Sequence, residues 1–274
     1  MTPDEITTSR PLRLMAVMAH PDDESLGIGG TLATYAARGV ETYLVTATRG
    51  ERGRYFTNEQ RPSDDQVGLA REAELRAAAR VLGVRELALL DYIDGELDRA
   101  NPREAVGRIA AEIRRVRPHV VVTFDPFGAY GHPDHVAICQ FTTSAVLAAA
   151  EASFPSAGEP HAVSKLYYFV NDERHWKVYE SAFKRLTSRV DGVERATVAW
   201  PEWAVSARID TREHWRTAWQ AIQCHATQLA VYGRLGELTP DEHETLWSSA
   251  TFYRVFSRVN GSRVRESDLF AGLR

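Results

Sequence analysis

The segment 15-MAVMAHPDDES-25 changes abruptly from five apolar residues to a histidine, a proline and three consecutive acids. The apolar run extends back to Leu12 and predicts a short strand that is buried on both faces, as in parallel sheets covered by helices. Three adjacent carboxylates repel one another and resist burial. Their position at the end of a buried strand therefore indicates a bound cation, and we expect a metal site there.

The residues that follow alternate between helical and strand-like patterns. Residues 29–38 have a helical composition and end before Gly39, a residue typical of helix C-termini, and a β-branched strand follows at 40–47. The alternation continues through helices at 65–82, 102–117 and 132–150 and strands at 86–92 and 119–124. These repeated units predict an α/β fold, a three-layer sandwich around a mostly parallel sheet.

The pattern becomes less regular after residue 151. Residues 151–160 are rich in proline, glycine and serine and mark an internal boundary. Beyond them we predict strands at 164–170, 204–210 and 249–259 and helices at 175–186 and 212–229. We therefore expect a single domain, residues 1–274, with a core at about 12–150 and a C-terminal α+β elaboration at about 161–274.

The composition excludes several classes of protein. A net charge of −4 over 274 residues predicts no attraction to nucleic acid or to an anionic membrane surface. Cys139 and Cys224 lack the spacing of a thiolate metal site and are expected to be reduced. The polar N-terminus and the absence of a long apolar run predict a cytoplasmic protein without membrane insertion, and the sequence leaves a homo-oligomer open.

A second cluster of imidazole and carboxylate, 131-GHPDH-135, follows the strand at 119–124. Loops at the carboxyl ends of strands line the ligand crevice of an open parallel sheet, so we expect the two clusters to converge. Two histidines and an aspartate with an open position are the ligand type of catalytic zinc, which activates water for hydrolysis. The same ligands hold iron(II) in non-haem oxygenases, so Zn²⁺, Fe²⁺ and other divalent ions all remain open.

The spacing within each loop separates the roles of its residues. His20 and Asp23 can turn toward one point, whereas Asp22 must project in another direction and is available for proton transfer. His132 and His135 lie about one turn apart at a helix start. They can face one cavity, one as a ligand and one beside the substrate.

Each loop also has a purely structural interpretation. An aspartate at position 22 or 23 could cap the following helix, and Pro133 with Asp134 is a common helix start. The glycines at 27, 29 and 30 come too late for a dinucleotide fingerprint, and the acids before them would repel a pyrophosphate. The presence of both loops at corresponding strand ends favours metal chemistry.

The motifs together resemble the PIG-L/LmbE-like zinc-dependent N-acetylglucosaminyl deacetylases. The resemblance covers most of residues 12–145 and resumes at 221-AIQCHATQ-228; it rests on the motifs AHPDDE, TRGERG, AREAELRAAARVLGV, DYIDGEL and GHPDH. It implies a Rossmann-like fold and a metal-dependent hydrolase that removes an N-acetyl or related N-acyl group from an amino-sugar conjugate, such as an N-acetylglucosamine derivative.

Three alternatives to this function stay open. The first is an amidase of the same family that cleaves a thiol-sugar conjugate. The second is a non-haem iron oxygenase, whose sites are usually built in jelly-roll barrels rather than in this kind of sheet. The third is a non-catalytic carbohydrate-binding protein, which would need a damaged site, and this sequence shows no such damage.

The resemblance also assigns roles at the first loop. Zinc would be held by His20, Asp23 and His135, and Asp22 would be the base that deprotonates the attacking water. At the second loop, His132 would assist the tetrahedral intermediate, with Asp134 orienting it.

Further residues are assigned outside these motif centres. Tyr130 could donate a hydrogen bond to the oxyanion. Arg71 and Asp94 match substrate-contacting positions of the family, but a surface salt bridge and a turn aspartate are the structural alternatives. Arg49, Arg52 and Arg54 add positive charge near the site, which either favours an anionic substrate or is merely solvated.

Overall fold

The computed structural model describes residues 11–55, 61–182, 185–230, 233–261 and 264–274. The strands in this part of the chain are β1 Arg13–Met18, β2 Glu41–Thr48, β3 Glu86–Tyr92, β4 Val120–Thr123, β5 Lys165–Val170, β6 Thr187–Val190, β7 Val193–Ala196, β8 Ala207–Asp210 and β9 Ser249–Ser257. The helices are α1 Asp23–Ala37, α2 Asp64–Val81, α3 Pro102–Val116, α4 Gly128–Gly131, α5 Pro133–Ala150, α6 Glu173–Ala182, α7 Trp215–Cys224 and α8 Pro240–Trp247.

A seven-stranded sheet forms the centre of the fold, in the order β3-β2-β1-β4-β5-β9-β8. The pairs among β1 to β5 are parallel, whereas β9 runs antiparallel to β5 and β8 runs antiparallel to β9. The predicted α/β fold with a mostly parallel sheet is therefore confirmed. The C-terminal part of the chain extends this sheet and adds a separate hairpin, β6–β7.

The strand order places a topological switch point between β1 and β4. From β1 the chain winds outward through β2 to β3, then returns to the other side of β1. Right-handed crossovers consequently put the helices on both faces of the sheet: α3 packs on α5, while α7 packs on α1 and α2. The crevice at such a switch point, at the carboxyl ends of β1 and β4, is where open α/β sheets bind ligands.

Several element boundaries differ from the predictions. Helix α1 begins at Asp23 rather than at residue 29, because the acids occupy its first turn, and the backbone leaves helical geometry at Ile28. The predicted helix at 212–229 stops at Cys224, since His225 has a non-helical ψ of 58°. The predicted helix at 175–186 is seen as α6, and residues 183–184 of that prediction lie outside the described residues.

Hairpin β6–β7 and helix α8 were not predicted, although each carries a local signal. Asp191 and Gly192 both have positive φ, the geometry of a two-residue hairpin turn. Thr239 and Glu242 form a capping box at the start of α8. Cys139 and Cys224 are both free thiols in the structure. No helix in the described part of the chain is long and apolar enough to cross a membrane.

Candidate metal centre and active site

The loop after β1 folds back through the side chain of Asp23. Oδ2 of this residue accepts the backbone N–H groups of Ala19 at 3.2 Å and His20 at 2.7 Å. The carboxylate therefore lies beside the His20 ring, with Oδ2 3.6 Å from Nδ1. Burial opposes ionisation of Asp23, but His135 and His20 outweigh this effect and hold its pKa below the usual range.

The two histidine loops converge in the folded chain. Nδ1 of His20 lies 3.1 Å from Nε2 of His135, and Oδ1 of Asp23 lies 3.4 Å from the same Nε2. Ligand atoms around tetrahedral zinc are separated by about 3.3 Å, given the usual bond lengths. All three side chains are buried. Oδ2 of Asp23 faces the His20 nitrogen and Oδ1 faces the His135 nitrogen. The two imidazole nitrogens and this carboxylate therefore fit a divalent metal ion at this point.

In each of the two histidines, the ring nitrogen turned away from the proposed metal position makes a hydrogen bond that orients the ring. Nδ1 of His135 lies 3.3 Å from the carbonyl oxygen of Gly128 and donates its proton to it. Nε2 is therefore unprotonated, and its lone pair is free to bind a metal ion. Burial lowers the pKa of His135 to about 3, so its ring is neutral. Nε2 of His20 donates to the carboxylate of Asp134 at 3.0 Å. Burial lowers the pKa of His20, but the surrounding carboxylates more than reverse this and raise it.

Asp134 contacts a different histidine from the one expected. Its buried carboxylate hydrogen-bonds His20 and also accepts the backbone N–H groups of Gly95 at 2.7 Å and Leu97 at 3.1 Å. The prediction that Asp134 orients His132 is wrong for the carboxylate, because α5 begins at Pro133 and directs this side chain away from His132 toward the β1 loop. Asp134 reaches His132 only through its backbone N–H, which donates to Nδ1 at 3.2 Å.

His132 lies beside the proposed ligands. Its ring centroid is 4.9 Å from that of His20 and 4.8 Å from that of His135. Burial, with the nearby His20, lowers the pKa of His132, so the ring is neutral. Because Nδ1 accepts the Asp134 N–H, the proton lies on Nε2. One nitrogen from each histidine lies within 4.8 Å of the others, so the three histidines form an alternative ligand set; His20, Asp94 and Asp134 form another by the same criterion.

Asp22 and Asp23 have different partners: Asp22 contacts Arg71, whereas Asp23 accepts the backbone N–H of His20. The Asp22 backbone has a φ of 103°, and its carboxylate lies on the wall of the cavity next to Arg71. Nη2 of Arg71 lies 3.2 Å from Oδ2 of Asp22 and donates to the Pro21 carbonyl at 2.6 Å, while Nη1 donates to Gly50. Arg71 is only 4% exposed, which rules out a surface salt bridge.

A cavity of about 260 Å³ opens over these residues. Tyr130 lies on its wall, with its ring centroid 5.3 Å from that of His135. Burial, together with the charges of Asp23 and Asp22, raises the pKa of Tyr130 well above its ordinary value. The hydroxyl therefore keeps its proton and can act as a donor.

Helix α6 supplies a wall of the cavity that was not predicted. His175, Trp176 and Tyr179 line the cavity from this helix, together with residues of the histidine loops. Burial lowers the pKa of His175 to about 4, so its ring is neutral. Aromatic residues at positions i, i+1 and i+4 were a signal for one helix face, but the sequence gives no information about which cavity that face meets.

Asp94 and the arginine-rich loop have different environments. Asp94 lines the cavity at 8% exposure, with Oδ1 3.2 Å from Nε2 of His20, so it is more than a turn residue. Arg49 pairs with Glu72 and Asp91, and Arg52 pairs with Glu96 at 2.6 Å. Arg54 is exposed. The charges of Arg49 and Arg52 are thus balanced locally and give no support to an anionic substrate.

Two buried contacts behind the loops were also missed. Glu24 pairs with His225 at 2.9 Å, and Asp125 accepts a hydrogen bond from Trp200 at 2.5 Å. The motif AIQCHATQ contained His225 and was a signal for it. We find no sequence signal that would have connected Trp200 with Asp125.

Comparisons with known proteins identify the family to which this chain is similar. The family profile described as "PIG-L: GlcNAc-PI de-N-acetylase" matches residues 15–146. A 1D-myo-inositol 2-acetamido-2-deoxy-alpha-D-glucopyranoside deacetylase of Rhodococcus jostii is 36% identical over 291 residues, covering 95% of this chain and 98% of that protein. The deacetylase of the same description from Nocardiopsis dassonvillei is 36% identical over 294 residues, covering 94% of this chain and 100% of that protein.

Solved structures share the fold at lower identity. The N,N'-diacetylchitobiose deacetylase of Pyrococcus horikoshii has a TM-score of 0.67 at 20% identity, covering 89% of this chain and 83% of that one. The 4-carboxy-2-hydroxymuconate hydratase of Pseudomonas putida also has a TM-score of 0.67, at 21% identity. The match covers 92% of this chain and 99% of that one. Since a deacetylase and a hydratase are equally similar in structure, the fold alone does not specify the reaction.

Proposed function

This chain belongs to the PIG-L family of metal-dependent N-deacetylases, and we propose that its substrate is a 2-acetamido-2-deoxyglucoside joined to an inositol. The observation that carries the proposal is the convergence of His20, Asp23 and His135 within 3.6 Å, with Asp22 on the adjoining cavity wall. The substrate class is supported by relatives that are 36% identical over nearly their whole length. The reaction is hydrolysis of the amide, which releases acetate and a free amine.

We propose Zn²⁺ as the metal, held by His20, Asp23 and His135. When bound, such an ion would act as a Lewis acid toward water and toward the acyl oxygen. His132 is kept out of the ligand set because its Nε2 carries the proton while Nδ1 is occupied by the Asp134 N–H. Fe²⁺ or another divalent ion would satisfy the same donors, and metal analysis distinguishes them.

Asp22 is proposed as the general base. Its carboxylate lines the cavity, and Arg71 fixes its position from behind through the 3.2 Å contact and through two backbone carbonyls. A carboxylate placed in this way can take a proton from the attacking water. Because Arg71 is buried and held at three points, it is proposed to position Asp22 as well as to line the substrate cavity.

His132 and Tyr130 are proposed to stabilise the acyl oxygen as it gains negative charge. Both are protonated donors that line the cavity: Nε2–H on the neutral His132 and the hydroxyl of Tyr130. Donors that are already in place for the developing charge lower the barrier without reorganisation. The departing amine receives the proton that Asp22 takes from the attacking water, because the neutral His132 keeps its single ring proton. Asp134 and Asp94 orient His20 through its Nε2.

The chain is proposed to act as one deacetylase domain. Strands β5, β8 and β9 of the C-terminal elaboration belong to the same sheet as the core, and α6 lines the cavity with the histidine loops. Both parts of the chain therefore contribute to one site.

Incubation of the purified, zinc-loaded protein with the 2-acetamidoglucosyl-inositol tests the proposal. We expect equal amounts of free amine and acetate, no product after chelation of the metal, and slower turnover of N-acetylglucosamine alone. Release of acetate from other N-acetyl sugars but not from the inositol conjugate would contradict the proposed substrate. Product formation that survives removal of the metal would contradict the proposed chemistry.

A further inference from the structure

Each of the two catalytic loops contains one non-glycine residue in an unfavourable backbone conformation. Asp22 has φ 103° and ψ −27°, and Ala129 has φ 61° and ψ −59°. The Ala129 angles are those of the rare γ-turn with positive φ, which is strained for a residue with a β-carbon. Such conformations persist only when the surrounding structure enforces them. Asp22 is the proposed base, and Ala129 directly precedes Tyr130.

Ala129 is held by a buried carboxylate. Oδ1 of Asp125 accepts the Ala129 N–H at 2.8 Å, and Oδ2 accepts the indole N–H of Trp200 at 2.5 Å. The Ala129 carbonyl accepts the backbone N–H of Val198 at 3.1 Å. Asp125 is 2% exposed, so water cannot readily replace these donors. The strained residue is thus fixed on its N–H side by Asp125 and on its carbonyl side by the segment before Trp200.

Asp22 is held in the same way. Oε2 of Glu24 accepts the Asp22 N–H at 3.1 Å, while Oε1 accepts from Nε2 of His225 at 2.9 Å and from Oγ of Ser25 at 2.5 Å. Glu24, Ser25 and His225 are fully buried. A carboxylate can accept only, so the His225 nitrogen that faces it carries a proton.

The two arrangements share one design. In each, one carboxylate oxygen takes the N–H of the strained residue and the other takes an N–H from the C-terminal elaboration. Asp125, Trp200, Glu24 and His225 do not line the cavity, so they cannot touch a substrate there.

We propose that Trp200 and His225 are positioning residues that clamp the two catalytic loops, Trp200 through Asp125 and Ala129, and His225 through Glu24 and Asp22. The inference rests on the proposed function, because the residues being positioned are the base Asp22 and the donors that follow Ala129. It assigns the C-terminal elaboration a role in catalysis in addition to its role in the sheet.

The test uses Trp200→Phe and His225→Leu, which remove the donors, and His225→Gln, whose amide can restore one. Trp219→Phe and His243→Leu are matched controls, since the two rings lie 4.3 Å apart and neither residue lines the cavity. For each full-length, zinc-loaded protein we would measure metal content, thermal midpoint, kcat, KM and the exchange of individual amide hydrogens by NMR.

We expect Trp200→Phe to accelerate exchange of the Ala129 N–H roughly tenfold or more, and His225→Leu to do the same for Asp22. Each variant should lose about 10- to 100-fold in kcat with KM and zinc content unchanged, because only the placement of reacting groups is altered. His225→Gln should recover most of the loss. If His225→Leu does not fold, two variants still test the inference. Trp200→Phe, which lacks the donor, should lose kcat, and His225→Gln, which keeps a donor, should retain most of it.

Two results would overturn the inference: exchange at Ala129 and Asp22 no faster than in the controls, or a fall in thermal midpoint with kcat no lower than in the controls. Failure of the proposed function has a different signature. The wild-type protein would then release no acetate from any amino sugar, while the exchange measurements would still decide whether the clamps exist.

Discussion

Replacing Asp134 by alanine separates the observed role of this residue from the expected one. The substitution removes both carboxylate oxygens, which accept from Nε2 of His20 at 3.0 Å and from the backbone N–H groups of Gly95 and Leu97. His20 retains a second carboxylate, because Oδ1 of Asp94 lies 3.2 Å from the same nitrogen. The ring therefore loses one of two orienting partners.

The expected magnitudes follow from these contacts. The Leu97 N–H is buried and would be left without an acceptor, at a cost of about 1–3 kcal/mol, whereas Gly95 is exposed and can turn to water. Loss of a partner that orients a ligating histidine typically weakens metal binding by about 10- to 100-fold. That factor corresponds to about 1.4–2.7 kcal/mol of zinc affinity.

Competition with a chromophoric chelator would measure zinc affinity, and urea unfolding would measure stability. We expect weaker zinc binding and a lower midpoint for Asp134→Ala, with kcat near the wild-type value once the site is saturated. Asp134→Asn keeps one acceptor oxygen and should lose less stability. Unchanged zinc affinity, combined with a loss of kcat equal to that of His132→Ala, would refute this reasoning and restore the original assignment to His132.

Three further predictions concern other residues. His132→Ala should keep its zinc and its KM, while kcat falls about 100-fold or more. His135→Ala should lose tight zinc binding, and equal zinc loss in both variants would favour the three-histidine ligand set. Asp22→Asn should keep the metal and lose at least about two orders of magnitude in turnover, and near-normal turnover would remove it as the base. Burial raises the pKa of Glu266, but hydrogen bonds from Lys165 and Tyr167 outweigh burial, so the pKa lies below its ordinary value. The ionised Glu266 therefore stabilises the folded state above about pH 4.5, and this stabilisation is lost as the pH falls through the lowered pKa. Glu266→Gln should thus be less stable than the wild type by about 3–5 kcal/mol at pH 7, because it leaves the buried Lys165 without the carboxylate as its counter-charge. The difference in the free energy of unfolding, measured in urea, should shrink below about pH 4, and a constant difference would contradict the assignment.

The sequence was sufficient for the core of the fold because that part is built from local signals. The strands from β1 to β4 alternate with helices along the chain, and the connection rules leave few arrangements for such units. The order of β9 and β8 was not accessible in this way. β9 pairs with β5, and β8 pairs with β9. These pairings join residues far apart in sequence, such as Phe169 and Phe252, and no local pattern encodes such pairs.

In the candidate site, too, some contacts follow from local sequence signals and others depend on the folded arrangement. That His20, Asp23 and His135 come together could be predicted, because they follow two strands that end at the same edge of a parallel sheet. The partner of Asp134 could not, since it depends on the direction in which a single side chain leaves the first turn of α5. The contributions of α6, Trp200 and His225 were also inaccessible, because they depend on how the C-terminal elaboration is laid over the core.

The long sequence separation of the clamps has a consequence for the order of folding. Trp200 is 75 residues from Asp125, and His225 is 201 residues from Glu24. Contacts of such separation are costly in loop-closure entropy and tend to form late. The parallel strands can therefore assemble while both strained turns are still relaxed. In refolding from urea, we expect far-ultraviolet circular dichroism to recover before acetate release does, so that the chain acquires its shape first and its catalytic power last.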